Sequence, residues 1–222
     1  RAFLAERDHD GGWRRLGYGA AHAAVAGVAT ALVERGAGAG APVLVLSDNS
    51  IGHALVALAA MHVGAPVVPV STAYALASST FARLRYVVDV VAPAVVYAET
   101  HGPYAAALAA VGLPPARWLD AAAVARAAAG PATARAAIGP DTIAKVLFTS
   151  GSTGDPKGVV NTHRMLTSNQ EALRACWPLL AATPPVVVDW LPWSHTFGGN
   201  HNVGLVLRNG GTLYVDRGRP AP

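Results

Sequence analysis

The chain has 222 residues, 52% of them hydrophobic and 14% charged, with a formal net charge of +4. That length can bury a sizeable core, and the composition is too apolar for a disordered chain. The basic residues are scattered, with no stripe interleaved with aromatics, so the charge argues against a nucleic-acid partner and suits a small anionic ligand. In chain order, residues 1–12 are charged and lack the apolar run of a signal peptide. The first residue is arginine, and a native start upstream of it is the expectation. Residues 16–36 show Ala/Val-rich helical spacing and close on Gly36. Residues 42–47 (PVLVLS) read as a buried strand, after which Asp48, Asn49 and Ser50 cap a helix to about residue 63. A strand follows at 67–70, a helix at 81–91, a strand at 94–97 and a helix at 104–111. Residues 121–139 are Ala-rich and of low complexity, which predicts a helix and then a connection.

Beyond that connection, residues 143–149 form a strand, 150–158 a loop and 159–161 a second short strand. Thr162 caps a helix to about residue 177, stopped by Pro178. Residues 185–190 read as a strand, 191–199 as a loop, 202–207 as a helix and 211–215 as a last strand. Alternating strands and helices, with strands apolar on both faces, predict an α/β fold of mostly parallel sheets covered by helices. Its expected organisation is a first lobe at residues 1–139 and the start of a second at 140–222. Cys176 is the sole cysteine, so no internal disulfide is possible and a reducing compartment is expected. His22, Glu34, His62, Pro66 and Pro69 interrupt the apolar stretches before they reach the roughly 18 to 20 residues of a membrane span. A soluble, cytoplasmic protein with no membrane partner is the expectation.

The most informative segment is Thr149-Ser150-Gly151-Ser152-Thr153-Gly154-Asp155-Pro156-Lys157-Gly158. Its glycines let backbone N–H groups turn inward toward an anion. The hydroxyls of Thr149, Ser150, Ser152 and Thr153 add neutral donors, Lys157 adds a mobile charge, and Pro156 stiffens the turn before it. Only Lys145 and Lys157 are lysine among the 17 basic residues, so a lysine in this loop stands out from an arginine-rich background. The loop is not a Walker A motif, because Gly158 and a β-branched run follow Lys157 where that motif has Ser/Thr and a helix. It joins two strands. The bland alternative is a Gly/Ser surface turn, which does not call for so many donors together with a lysine.

This loop resembles the signature loop of the adenylate-forming superfamily, which includes acyl- and aryl-CoA synthetases, luciferases and peptide-synthetase adenylation domains. Residues 60–70 (AMHVGAPVVPV) resemble that family's second core motif, and residues 16–20 with the helix behind them resemble its first. Residues 191–198 (LPWSHTFG) resemble its histidine-containing segment at the acyl site. The stretches NTHRMLTSNQ, DWLPWSHTFGGNHNVGLVLRNGGTLY and LRYVVD resemble the feruloyl-CoA synthase subgroup in particular. The resemblance implies the N-terminal part of the adenylate-forming large domain. Downstream adenine, ribose and hinge motifs and a C-terminal domain with a catalytic lysine would belong to the rest of the enzyme. Alone, this stretch would complete neither half-reaction.

The implied reaction joins a small carboxylic acid to ATP, releasing pyrophosphate, and then to coenzyme A, releasing AMP. A hydroxycinnamate such as ferulate is the implied acid; a fatty acid, an amino acid destined for a carrier protein, or a non-catalytic remnant are the alternatives. The resemblance assigns Thr149, Ser150, Gly151, Ser152, Thr153, Gly154 and Lys157 to the β- and γ-phosphates, with Mg2+ bridging phosphate oxygens. It makes His195 a catalytic wall between the carboxylate and ATP, and assigns Trp193, Phe197, Gly198, Gly199 and Asn200 to substrate. Trp193 and Phe197 would form flat apolar walls. The residues alone read more simply as a loop histidine bonded to backbone beside core aromatics. No protein-held metal is expected, since the spacing of His195 and His201 fits no zinc knuckle. His163, Arg164 and Asn169 read as surface or capping residues, Trp177 as core, and Cys176 as an unactivated thiol.

Overall fold

The computed structural model of the chain describes residues 1–8, 10–132, 136–149 and 154–216. The chain opens with two strands, β1 (Ala2–Arg7) and β2 (Trp13–Gly17), and the helix α1 (Tyr18–Glu34). An alternating stretch follows: β3 (Val43–Val45), α2 (Ile51–His62), β4 (Val67–Pro69), the short α3 (Ala73–Leu76), α4 (Ala82–Val91), β5 (Val95–Tyr97), α5 (Ala105–Ala110), β6 (Trp118–Leu119) and α6 (Ala121–Ala128). Then come β7 (Ile143–Thr149), β8 (Lys157–Thr162), α7 (His163–Cys176), the short α8 (Leu179–Ala182) and β9 (Val186–Asp189). A π-helical turn over Phe197–Asn202 runs into α9 (Val203–Asn209), and β10 (Thr212–Val215) follows.

Two sheets form. One has six strands in the order β6-β5-β3-β4-β7-β8, parallel throughout except for the antiparallel β7–β8 hairpin at its edge. The other has four, β2-β1-β10-β9, parallel except for β1–β2. The central strands β3, β4 and β5 are buried at every position, as a parallel sheet covered by helices on both faces requires. Alternation divides their side chains. Val43, Val45, Val67 and Val95 pack toward α1, α2 and the smaller sheet, and Leu44, Val68 and Val96 pack toward α4 and α5.

The helix starts follow local chemistry. Ser50 accepts from the His53 amide at 3.0 Å, Asp120 from the Ala123 amide at 2.7 Å and Thr162 from the Met165 amide at 3.3 Å, each holding a first-turn N–H. Gly27 brings α1 against α6, where a Cβ would overlap the Ala127 carbonyl.

Several expectations need correction. The charged opening holds β1, whose Phe3, Leu4 and Ala5 are core residues, and Leu16 and Gly17 belong to β2, so α1 starts only at Tyr18. The loop expected at 191–199 ends in the π-helical turn, which places Phe197, Gly198 and Gly199 in helical conformation. Trp177 is 44% exposed at the end of α7 and is not core. Each sheet takes strands from both sides of the expected boundary at residues 139/140, because β7 pairs with β4 and β10 pairs with β1. Among the described residues, no helix is long and apolar enough to cross a membrane.

Candidate functional site

Strand β7 runs parallel to β4, with Lys145 opposite Val67, so its carboxyl end lies beside residues 69–71. Open α/β sheets bind ligands at this edge, where loops leave the strands. Thr149 ends β7 and pairs with Lys157 at the start of β8, and the Thr149 hydroxyl lies 3.4 Å from the Lys157 carbonyl. Thr149, Gly154 and Lys157 are all exposed there. Ser150, Gly151, Ser152 and Thr153 lie outside the described residues.

Beside this hairpin is a cavity of about 540 Å³ between Phe148, Tyr74 and His195. His195 is exposed, its amide donates to the Pro192 carbonyl at 3.0 Å, and its carbonyl accepts from the Gly199 amide at 2.9 Å. Its backbone is thus fixed, and it borders the cavity together with Phe148, the residue before Thr149.

The segment that carries His195 is held by two side chains. Asp189, at the end of β9, is 1% exposed. It accepts from the Leu191 amide at 3.1 Å, the Asn202 amide group at 2.9 Å and the Trp193 indole N–H at 2.9 Å. Asn49 accepts from the Trp193 amide at 2.9 Å and donates to the Leu191 carbonyl at 2.8 Å. The close turn needs glycine at 199, since a Cβ there would overlap the Trp193 carbonyl.

Trp193 enters a second cavity, about 470 Å³ and mostly apolar, between α2, α7 and α9 on one face of β4 and β7. His53 meets the Trp193 ring edge-on at 5.1 Å. Burial lowers the His53 pKa to about 4, partly opposed by its contact with the Asp48 carbonyl and reinforced by nearby Lys145. The ring is therefore neutral at pH 7. Lys145 is 8% exposed, donates to the Gly199 carbonyl at 2.6 Å, and is lowered by burial to about 8. His163, partly buried on the same cavity wall, is lowered in the same way.

The structure therefore separates the expected substrate residues. Trp193, Gly199 and Asn200 border the apolar cavity and His195 borders the one beside the hairpin. Phe197 forms a wall of neither: it is 56% exposed and stacked on His201 at 4.5 Å. Gly198 is buried, packed against the carbonyls of Leu191 and Pro192. Among the described residues, no group of three or more His, Cys, Asp or Glu gathers as metal ligands. Arg164 pairs with Asp141 at 2.8 Å on the surface, and Asn169 is exposed. The sequence reading passed over Asp189, Asn49, His53 and Lys145. Only Lys145 left a signal, as one of two lysines.

Comparison with known proteins gives a consistent result. Residues 1–222 match the family described as AMP-binding enzyme. The chain is 30% identical over 210 residues to the hybrid PKS-NRPS synthetase thnA of Trichoderma harzianum, covering 93% of this chain and 5% of that protein. It is 29% identical over 213 residues to the 3-[(3aS,4S,7aS)-7a-methyl-1,5-dioxo-octahydro-1H-inden-4-yl]propanoyl:CoA ligase of Mycobacterium tuberculosis, covering 86% of this chain and 39% of that one. Among solved structures, apo MatB from Rhodopseudomonas palustris superposes with a TM-score of 0.76 at 29% identity, covering 96% of this chain and 41% of that one. The chain thus spans well under two thirds of these relatives.

Two outcomes follow from the geometry. Asp189→Asn replaces an acceptor of three N–H groups with an amide that repels some of them, and should destabilise the chain by about 2–3 kcal/mol, read as a lower urea midpoint. His53 has a folded pKa of about 4 against 6.5 unfolded, so the unfolded chain binds more protons between those values. Its contribution is whole above pH 6.5 and falls by about 3 kcal/mol on acidification to pH 4. His53→Gln should flatten the pH–stability profile in that window; an unchanged slope would contradict the assignment.

Proposed function

We propose that this chain, which belongs to the family of AMP-binding enzymes, supplies the phosphate- and acid-binding part of an ATP-dependent acid–thiol ligase. The observation that carries this reading is the meeting, at the carboxyl end of β4 and β7, of His195 and Phe148 around one cavity, with Phe148 adjoining the Thr149–Lys157 pair of the hairpin. In the first step an acid's carboxylate oxygen attacks the α-phosphorus of ATP. The bond to the bridging oxygen breaks, its electron pair leaves with pyrophosphate, and an acyl-adenylate remains. In the second, the thiolate of coenzyme A attacks the acyl carbon and AMP leaves.

The residues of this chain have separate tasks in that scheme. Lys157 and the hydroxyl of Thr149, with Ser150, Gly151, Ser152, Thr153 and Gly154, take the β- and γ-phosphates. They stabilise charge that grows as pyrophosphate departs, which is where a donor accelerates the step most. Magnesium would enter this site together with the nucleotide. When bound, it shares the charge of the leaving group. His195 borders the cavity where carboxylate and α-phosphate meet, and orients the acid.

The acid's apolar body would lie in the cavity walled by Trp193, where a flat ring suits an aromatic acid such as the hydroxycinnamate ferulate. In the longer protein that contains this chain, Lys157→Ala should lower ATP–pyrophosphate exchange by roughly ten- to a thousandfold. Unchanged exchange would remove the phosphate loop from the mechanism. Pyrophosphate release should be faster with ferulate than with hexanoate, and the reverse order would replace the aromatic acid with an aliphatic one.

A further inference from the structure

The apolar cavity contains a polar corner that the adenylation chemistry leaves unused. Lys145 projects from β7 into it, and among the described residues its ammonium makes one hydrogen bond, to the Gly199 carbonyl at 2.6 Å. An ammonium carries three N–H donors, so two remain. Among the described residues no carboxylate pairs with it, and burial depresses its pKa. On the next residue, the Asn200 carbonyl accepts from the Gln170 side-chain N–H at 3.3 Å. Among the described residues, the other end of that amide, Gln170 Oε1, has no partner in a residue only 6% exposed, and Asn200 Oδ1, whose residue lines the same wall, has none either. Residues with spare donors and spare acceptors thus line one cavity, the two oxygens closed off by the packing around them, and each spare group is buried at a cost that a partner would offset.

A hydroxyl group at this corner would accept from Lys145 and, with the Gln170 amide turned toward it, donate to Gln170. The register gives it a place. Lys145 and Thr149 lie on one face of β7, four residues apart, a separation of about 13 Å at the rise of a strand. A rod-shaped acid with its carboxylate toward the phosphate loop would carry its far end to Lys145. We infer that Lys145, with Gln170, determines specificity by receiving a hydroxyl on the end of the acid remote from its carboxylate. This rests on the apolar cavity being the acid's pocket.

The test uses the longer protein containing this chain and two acids that differ in one group, 4-hydroxycinnamate and cinnamate. Wild type should favour the hydroxylated acid in kcat/KM by about ten- to a hundredfold, the worth of one hydrogen bond to a charged donor. Lys145→Met should remove that preference by raising KM for 4-hydroxycinnamate while leaving cinnamate turnover unchanged or improved. A merely structural lysine would instead lower both acids alike. Equal loss, or a wild type indifferent to the hydroxyl, overturns the inference while leaving the acid–thiol ligase reading in place. Failure of every acid to release pyrophosphate overturns that reading and the inference with it. If Lys145→Met does not fold by thermal melting, Gln170→Met decides: loss of the preference supports the hydroxyl site and its retention overturns it.

Discussion

The position of the candidate site depends on Asp189, a carboxylate buried at the end of β9 whose partners are all neutral N–H groups. A buried charge of this kind persists only when its lone pairs are satisfied, and here the Leu191 amide, the Asn202 side chain and the Trp193 indole do so. Satisfying them fixes the path of residues 190–202. Trp193 is drawn inward, the chain turns within two residues, and His195 is left on the outer side. Asn49, at the start of α2, clamps the same segment from the larger sheet.

That turn gives Trp193 and His195, with only Ser194 between them, access to different chemical environments. On one side is a mostly apolar cavity containing a neutral histidine and a buried lysine. On the other is an open cavity beside the exposed hairpin that carries Lys157. Pro69 at the end of β4 borders both, so a molecule with an apolar body and a charged head could occupy the two together. Burial pulls Lys145 down to about 8 and leaves it protonated at pH 7, an unpaired cation surrounded mainly by carbon. A site that merely packs its core has no use for such a group.

The sheets are also tied to each other, which keeps the two cavities in register. Glu6 on β1 accepts from the Ile51 amide at 2.6 Å, a carboxylate at the N-terminus of α2, and also pairs with Arg14. The Tyr18 hydroxyl sits 2.9 Å from the Val206 carbonyl and 3.0 Å from that of Gly211, and burial raises its pKa to about 12 despite nearby Arg1. The opening of the chain is thus welded to α9 and β10, nearly 200 residues later.

The sequence by itself determined the features that local physics encodes. Runs of β-branched residues marked β3, β4, β5 and β7, the side chains of Ser50 and Thr162 marked helix starts, and a second short run beyond the Gly/Ser/Thr/Lys loop marked the partner strand of β7. It did not disclose β1, because a strand that opens with one apolar triplet and ends in charge acquires its burial from β10 and β2. Nor did it disclose Asp189, which looks like any acid after a strand until Trp193 and Asn202 fold onto it. Phe197 looked like a pocket wall, yet the π-helical turn points it to solvent. Lys145 was visible as a rare lysine, but Gly199, its partner, is 54 residues away. Period, caps and loop donors are properties of neighbouring residues, so the sequence carries them. Which side chains share a cavity is decided by crossovers and close packing between distant segments, and only the tertiary structure brings those together.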